Sequence, residues 1–157
     1  MRFSMPSDQV PAMTGRAAVS MVDQAGATTT RIEVNNTIVD GGRQLAAQRL
    51  IGLGTAAPIS HLAVGSGNTP PAAGDTQLAT EIATIDRATI DSTALSGSIG
   101  FRIRAQVSSA AAAQINEAGL FTAPAHGAGT MYNRVVFPSP LPVGPGLDLI
   151  FEWDITF

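Results

Sequence analysis

Two stretches of this chain alternate strictly between apolar and polar residues, and that period of two decides what class of fold it can adopt. From 98 to 107, Ile99, Phe101, Ile103, Ala105 and Val107 alternate with Ser98, Gly100, Arg102, Arg104 and Gln106. From 147 to 157, Leu147, Leu149, Phe151, Trp153, Ile155 and Phe157 share one face. Asp148, Glu152, Asp154 and Thr156 share the other, with Ile150 the exception. Side chains of a strand point to opposite faces in turn, so each stretch reads as a half-buried strand. A last residue still in register with the core face implies a C-terminus that is tied down.

The remaining segments extend this pattern. Residues 30–39 accumulate the β-branched Ile32, Val34, Thr37, Ile38 and Val39 and read as a strand. Asp40 suits a helix N-cap, good helix formers run to Leu50, and Gly52 and Gly54 close the helix. Leu45, Ala46, Arg49 and Leu50 form its apolar stripe. Further strands are expected at 59–64, 85–90, 115–121 (bulged near Gly119) and 131–137. Gly65 to Pro71 is a turn and loop, 72–83 is ambiguous, and the prolines at 138, 140, 142 and 145 predict a stiff loop.

Residues 1–29 break the pattern, with Pro6, Pro11 and scattered methionines, so they are read as an extended arm. Arg16 to Asp23 could make one or two helical turns, too few to stand alone. The arm either fills grooves on a neighbour with its adaptable methionines or is a simple tail. The expected organisation is an arm over 1–29 and a domain over 30–157. One helix with six or seven short strands argues a mainly β fold, a β-sandwich for which a jelly roll is one form.

The composition limits the partners. Only 13% of the 157 residues are charged, below the usual ~25%, which suits a surface hidden against partners or a plain neutral skin. The net charge of −3 gives no footprint for nucleic acid. All nine basic residues are Arg, so lysine does not guard the sheet edges; a partner could cover them, or codon bias explains it. There is no Cys, which excludes disulfides. No apolar run approaches the roughly 18 residues of a membrane span, and the N-terminus lacks the apolar stretch of a signal peptide. Synthesis in the cytoplasm is the expectation.

Chemistry finds little purchase. Gly65-Ser66-Gly67 follows a strand, but no Gly-Lys-Ser/Thr follows it, so a P-loop is excluded, and a dinucleotide fingerprint lacks its third glycine. His61 and His126 have no metal-ligand spacing; His61 reads as a structural or edge residue and His126 as part of an exposed loop. Asp86 with Asp91, and Glu152 with Asp154, are the paired carboxylates that glycoside hydrolysis would ask for. The second pair reads better as a solvated strand face. Glu117, beside Ala118-Gly119 in an apolar strand, is expected to pair with Arg102 or Arg134 or to accept backbone N–H groups. No catalytic, cofactor-binding or metal site and no cofactor is expected.

Four segments carry a resemblance. They are NTIVDGGR (36–43), LAVGSGNTPPAAGDTQL (62–78), NEAGLF (116–121) and MYNRVVFPSP (131–140). With the closing LDLIFEWDITF, they resemble a group of small tailed-bacteriophage structural proteins with an "AVG-G-PA-DT-L" segment, a later "EAGLF" and an "R-F" strand. The resemblance spans roughly Asn35 to Phe157. It implies a non-enzymatic virion protein, with no catalytic residues to carry over. The first expectation is a capsid cement or decoration protein, a homo-oligomer (dimer or trimer) binding the major capsid protein or other virion proteins, without nucleic acid or membrane. The alternatives are a tail-fibre or baseplate-associated adaptor, and a carbohydrate-binding β-sandwich. In the motif itself, the glycines permit turns, the prolines stiffen them, and Asp75 can accept backbone hydrogen bonds.

Overall fold

A computed structural model describes residues 13–54 and 57–157. The elements run β1 (Thr14–Asp23), β2 (Thr28–Ile38), α1 (Asp40–Leu50), β3 (His61–Gly65), β4 (Ala88–Ser96), β5 (Gly100–Val107), β6 (Ala113–Phe121), β7 (Met131–Val143) and β8 (Leu147–Thr156). The mainly β class with one short helix holds among the described residues. The architecture is not the expected sandwich or jelly roll. The strands close into one antiparallel barrel in the order β1-β2-β7-β6-β3-β4-β5-β8.

The correction has two causes. First, the expected arm over 1–29 and the helical turns over 16–23 give way to a strand. β1 inserts between β2 and β8 and pairs with β8 over ten residues, from Thr14 opposite Thr156 to Asp23 opposite Leu147. Ala17 and Val19 enter the barrel interior while Ala18 and Ser20 face the other way. Small residues on both faces hide this alternation from a hydropathy reading. Asp23 then folds the turn into β2: its carboxylate accepts the N–H groups of Ala25 and Ala27, both at 2.9 Å. The part of the expected arm over 1–12 lies outside the described residues. Second, β2 and β4 each change partner along their length. β2 pairs with β1 up to Asn36 and with β7 only at Thr37 and Ile38; β4 pairs with β3 only at Ala88 and Thr89 and then with β5. Long-range changes of partner leave no local trace in sequence.

Eight strands leave a barrel just wide enough for side chains to fill it. Here Leu149, Phe151, Trp153 and Ile155 of β8 meet Ile103, Ala105 and Val107 of β5 and Ile115, Leu120, Val135 and Phe137 opposite. The two alternating stretches are therefore core strands over 103–107 and 149–155, while Ile99 and Phe157, which the period puts on the core face, lie beyond the strand ends and are exposed. Closure pairs the sheet edges within the chain over most of the circuit. The remaining exposed edge is blunted by proline. The expected stiff loop at 138–142 is part of β7, with Pro138, Pro140 and Pro142 at every second position. The β6 register passes from Glu117–Val136 to Ile115–Leu141, so Pro138 and Pro140 have no ladder partner on β6 and withhold no donor from it. β7 pairs with β2 only at 133–134, and beyond that point a strand with a free edge asks for no donors there.

Helix α1 begins one residue earlier than the expected cap. Val39 is the N-cap and Asp40 the first helical residue, placed where its charge favours the helix dipole. At the other end the N–H of Gly52 reaches Arg49 O and that of Leu53 reaches Gln48 O at 2.9 Å. With Gly52 at φ +67°, this is a Schellman closure. No helix among the described residues is long and apolar enough to cross a membrane.

Candidate functional site

Among the described residues, the most densely built polar site lies outside the barrel wall, where segment 66–87 covers the outer surface of β6 and β7. The bulges place it. The β6–β7 register shifts between Ile115 and Glu117 and again between Leu120 and Phe121, rather than at Gly119. Ile115, Ala118 and Leu120 consequently face the interior. Phe121 instead joins Val39, Ala63, Leu78 and Met131 in a small second core under the covering segment. The Asn133 side chain mends the ladder there, its Oδ1 accepting the Leu120 N–H at 3.1 Å.

Glu117, fully buried, is the centre. Its Oε1 accepts the N–H groups of Gly67 at 3.1 Å and Thr80 at 2.7 Å, and its Oε2 accepts that of Ala79 at 3.0 Å. Arg134, 2% exposed, donates Nε to Oε2 at 2.8 Å. The same guanidinium donates to Asp75 Oδ2 at 2.8 Å and to the Thr69 carbonyl at 2.9 Å. Asp75 also accepts the Ala72 N–H at 2.9 Å. Partial burial works to raise the Asp75 carboxyl, but the Ala72 N–H and Arg134 outweigh it and hold the carboxyl below its usual range. The expectation for Glu117 is met in both forms, with Arg134 as the partner; Arg102 instead pairs with Asp154 at 2.8 Å.

The glycines of the motif serve close approach. A Cβ on Gly65 would lie 2.5 Å from Glu117 Oε1 and 2.6 Å from Thr80 O; one on Gly67 would lie 2.5 Å from the same Glu117 oxygen. Only glycine lets the backbone come near enough for its N–H groups to reach the carboxylate.

A second ion pair, which sequence reasoning missed, pins the far end of the segment. Arg87, buried, grips Glu81 with two bonds of 2.6 and 2.9 Å and donates to the Ala123 and Ala128 carbonyls. Its guanidinium lies 3.9 Å from the centre of the Phe121 ring. Burial works to raise Glu81, but Arg87, the Gly127 N–H and His126 together keep it below its usual range. The available signal was a charged pair six residues apart within the stretch read as ambiguous and as strand.

The other candidates fall to structural positions. His126 donates Nε2–H to the Ile85 carbonyl at 3.0 Å, bracing the same segment. His61 starts β3, with Nδ1 2.8 Å from Ser60 Oγ, and burial followed by the nearby Arg87 charge lowers its pKa. Asp91 is held by Arg104 at 2.8 Å, while Asp86 is exposed just before Arg87. Glu152 and Asp154 lie on the outer face of β8, bonded to Arg31 and Arg102. Among the described residues no three His, Cys, Asp or Glu side chains cluster as metal ligands. Both oxygens of Glu117 and every terminal nitrogen of Arg134 are engaged by the chain itself, so the arrangement acts as a fastener. Compared with known proteins, the chain matches no family model, no curated protein and no solved structure.

Proposed function

We propose that this chain is a non-catalytic structural component of a tailed-bacteriophage particle, and that it decorates the head shell as a dimer or trimer bound to the major capsid protein. The observation that carries this reading is the convergence of the segments behind the resemblance. Gly67, Thr69 and Asp75 of 62–78, Glu117 of 116–121 and Arg134 of 131–140 meet in one ion knot. The segment 36–43 joins through the Asp40 N–H, which reaches the Ala73 carbonyl at 2.7 Å. A signature spent on fastening a surface loop to a barrel is what a building block needs. A polar cluster whose central carboxylate and guanidinium are buried and engaged by the chain itself offers little to a substrate.

The carbohydrate-binding alternative gains no support from the aromatics. Trp153 and Tyr132, the chain's single Trp and Tyr, are 0% and 2% exposed and present no stacking platform. The test is mass spectrometry and antibody-labelled electron microscopy of purified particles from cells producing the phage that encodes this chain. Many copies per particle with label over heads is the expected result. Label confined to tails would replace the head placement with a tail adaptor, and absence from particles would overturn the virion reading altogether.

A further inference from the structure

One end of the barrel carries an apolar recess that the ion knot does not explain. Helix α1 starts hard against β7. The Val39 N–H reaches the Tyr132 carbonyl at 3.2 Å, and a Cβ on Gly42 would collide with that same carbonyl. At the other end of the helix Leu50 is 82% exposed. Between helix and barrel lies a cleft of about 310 Å³ whose walls include Leu45, Leu50, Ile59, Phe101, Tyr132 and Phe157. Small-molecule sites span roughly 300–1,000 Å³, so the cleft suits a small occupant. Three rings line it. Phe101 stands 6.0 Å from Tyr132 and 5.9 Å from Phe157, centre to centre. Burial deepens along the row, from Phe157 at 41% exposed, through partly buried Phe101, to Tyr132 at 2%.

Two polar groups stand at the Tyr132 end. The Tyr132 hydroxyl is buried and meets no hydrogen-bonding group among the described residues. Buried polar groups are as a rule paired, because they have given up water. Arg43 sits in the first turn of α1 and shares a stripe with Ala46 and Leu50. Burial pushes the Tyr132 phenol up and the Arg43 charge works the other way, so the guanidinium stands within electrostatic reach of the hydroxyl. Among the described residues no carboxylate pairs with Arg43, although Asp40 stands one turn before it. A recess of this kind fits a molecule with an apolar body and an anionic head. We infer that the cleft binds a fatty acid, its tail along Phe101, Leu50 and Phe157 and its carboxylate accepting from the Tyr132 hydroxyl and Arg43. C–C bonds of about 1.5 Å advance an extended chain by about 1.25 Å each, so about ten carbons run the length of the ring row. A second copy pressed against Leu50 and Phe157 would cover the apolar rim but leave the Tyr132 hydroxyl unmet, which favours a molecule small enough to enter. The inference stands apart from the virion reading and survives or fails without it.

Decanoate is the probe, titrated into the purified full chain by calorimetry up to about 1 mM, where even a weak site fills. Decyltrimethylammonium, with the same tail and the opposite charge, is the control. Decanoate should bind at one per chain and several-fold more tightly than the control, and the largest amide shifts in 15N spectra should fall at Leu50, Phe101 and Phe157. Tyr132→Phe removes the hydroxyl and keeps the ring, and Arg43→Gln changes an exposed side chain, so both variants should keep the circular dichroism of the parent. Each should weaken decanoate several-fold and leave the control unchanged. No binding of decanoate, equal binding of the two amphiphiles, or full affinity in both variants would overturn the inference. A dimer that Leu50→Asp splits and decanoate leaves intact, seen by sedimentation, would overturn it in favour of a second copy.

Discussion

Replacing Glu117 by Ala should unfasten the covering segment and remove a large part of the stability of the fold. The substitution strips the acceptor from three backbone N–H groups, those of Gly67, Ala79 and Thr80, and leaves Arg134 with Asp75 as its remaining carboxylate. Breaking one side of a buried ion pair costs about 3–5 kcal/mol, and each buried donor left bare adds about 1–3 kcal/mol. These terms do not add in full, because segment 66–80 can lift and let water reach its N–H groups. The expected loss is therefore about 4 kcal/mol, against a total of roughly 5–15 kcal/mol for a domain. Urea unfolding followed by the fluorescence of buried Trp153 measures it. Hydrogen exchange at Gly67, Ala79 and Thr80 should quicken even where the barrel stays folded, since the fastener is outside the barrel wall. Glu117→Gln keeps the shape but turns one acceptor into a donor among donors, so it should cost about 2–4 kcal/mol. Combined with Arg134→Met, Glu117→Gln should cost less than the sum of the two single changes by about 1 kcal/mol or more. A loss under about 1 kcal/mol for Glu117→Ala, or strict additivity in the double variant, would refute the reasoning.

Three further outcomes follow from the same geometry. Trp153→Ala should cost about 3–5 kcal/mol in denaturant melts, while Asp154→Ala, which loses only a partly exposed pair with Arg102, should stay within about 1 kcal/mol. Gly65→Ala, which drives a Cβ against Glu117 and the Thr80 carbonyl, should destabilise by about 1–3 kcal/mol; Gly74→Ala, with open space around it, should be neutral or slightly stabilising. Asp75 and Glu81 have carboxyls held below their usual range, so the unfolded chain binds more protons than the folded one as acid is added. Their contribution is present above the unfolded values near pH ~4 and is lost as pH falls through the lower folded values. Stability measured from pH 5 to 2 should fall less steeply in Asp75→Asn and Glu81→Gln.

How far the fold could be read depended on the range of the interaction behind each element. β5 and β8 were legible because burial of one face writes itself every second residue. The end of α1 was legible because a left-handed residue after a helix calls for glycine, as at Gly52. β1 was not, since Ala17, Ala18 and Ser20 are small on both faces and carry little hydropathic contrast. Nor was the strand character of 138–142: proline argues against a strand with two paired edges, and only the register shows that β7 has a free one. Closure itself depends on seams of two residue pairs each, at Thr37–Ile38 and at His61–Leu62, which no local pattern announces.

The candidate site shows the same division from the side of charge. Glu117 stood out because a carboxylate in an apolar strand must find donors, and the adjacent Gly-Ser-Gly stretch could be recognised as backbone capable of close approach. What linked them was invisible, since Gly67 and Glu117 are fifty residues apart. Arg87 and Glu81 gave no such alarm, because either charge, in a stretch without clear period, reads as solvent-exposed. Burial of an ion pair becomes evident only when the cover that desolvates it is in place, and here that cover is the loop carrying the motif. The glycines, Asp75, Glu117 and Arg134 thus form one interdependent unit. Substituting any one of them removes the reason for the others, so their spacing can persist as a signature of the fastener alone.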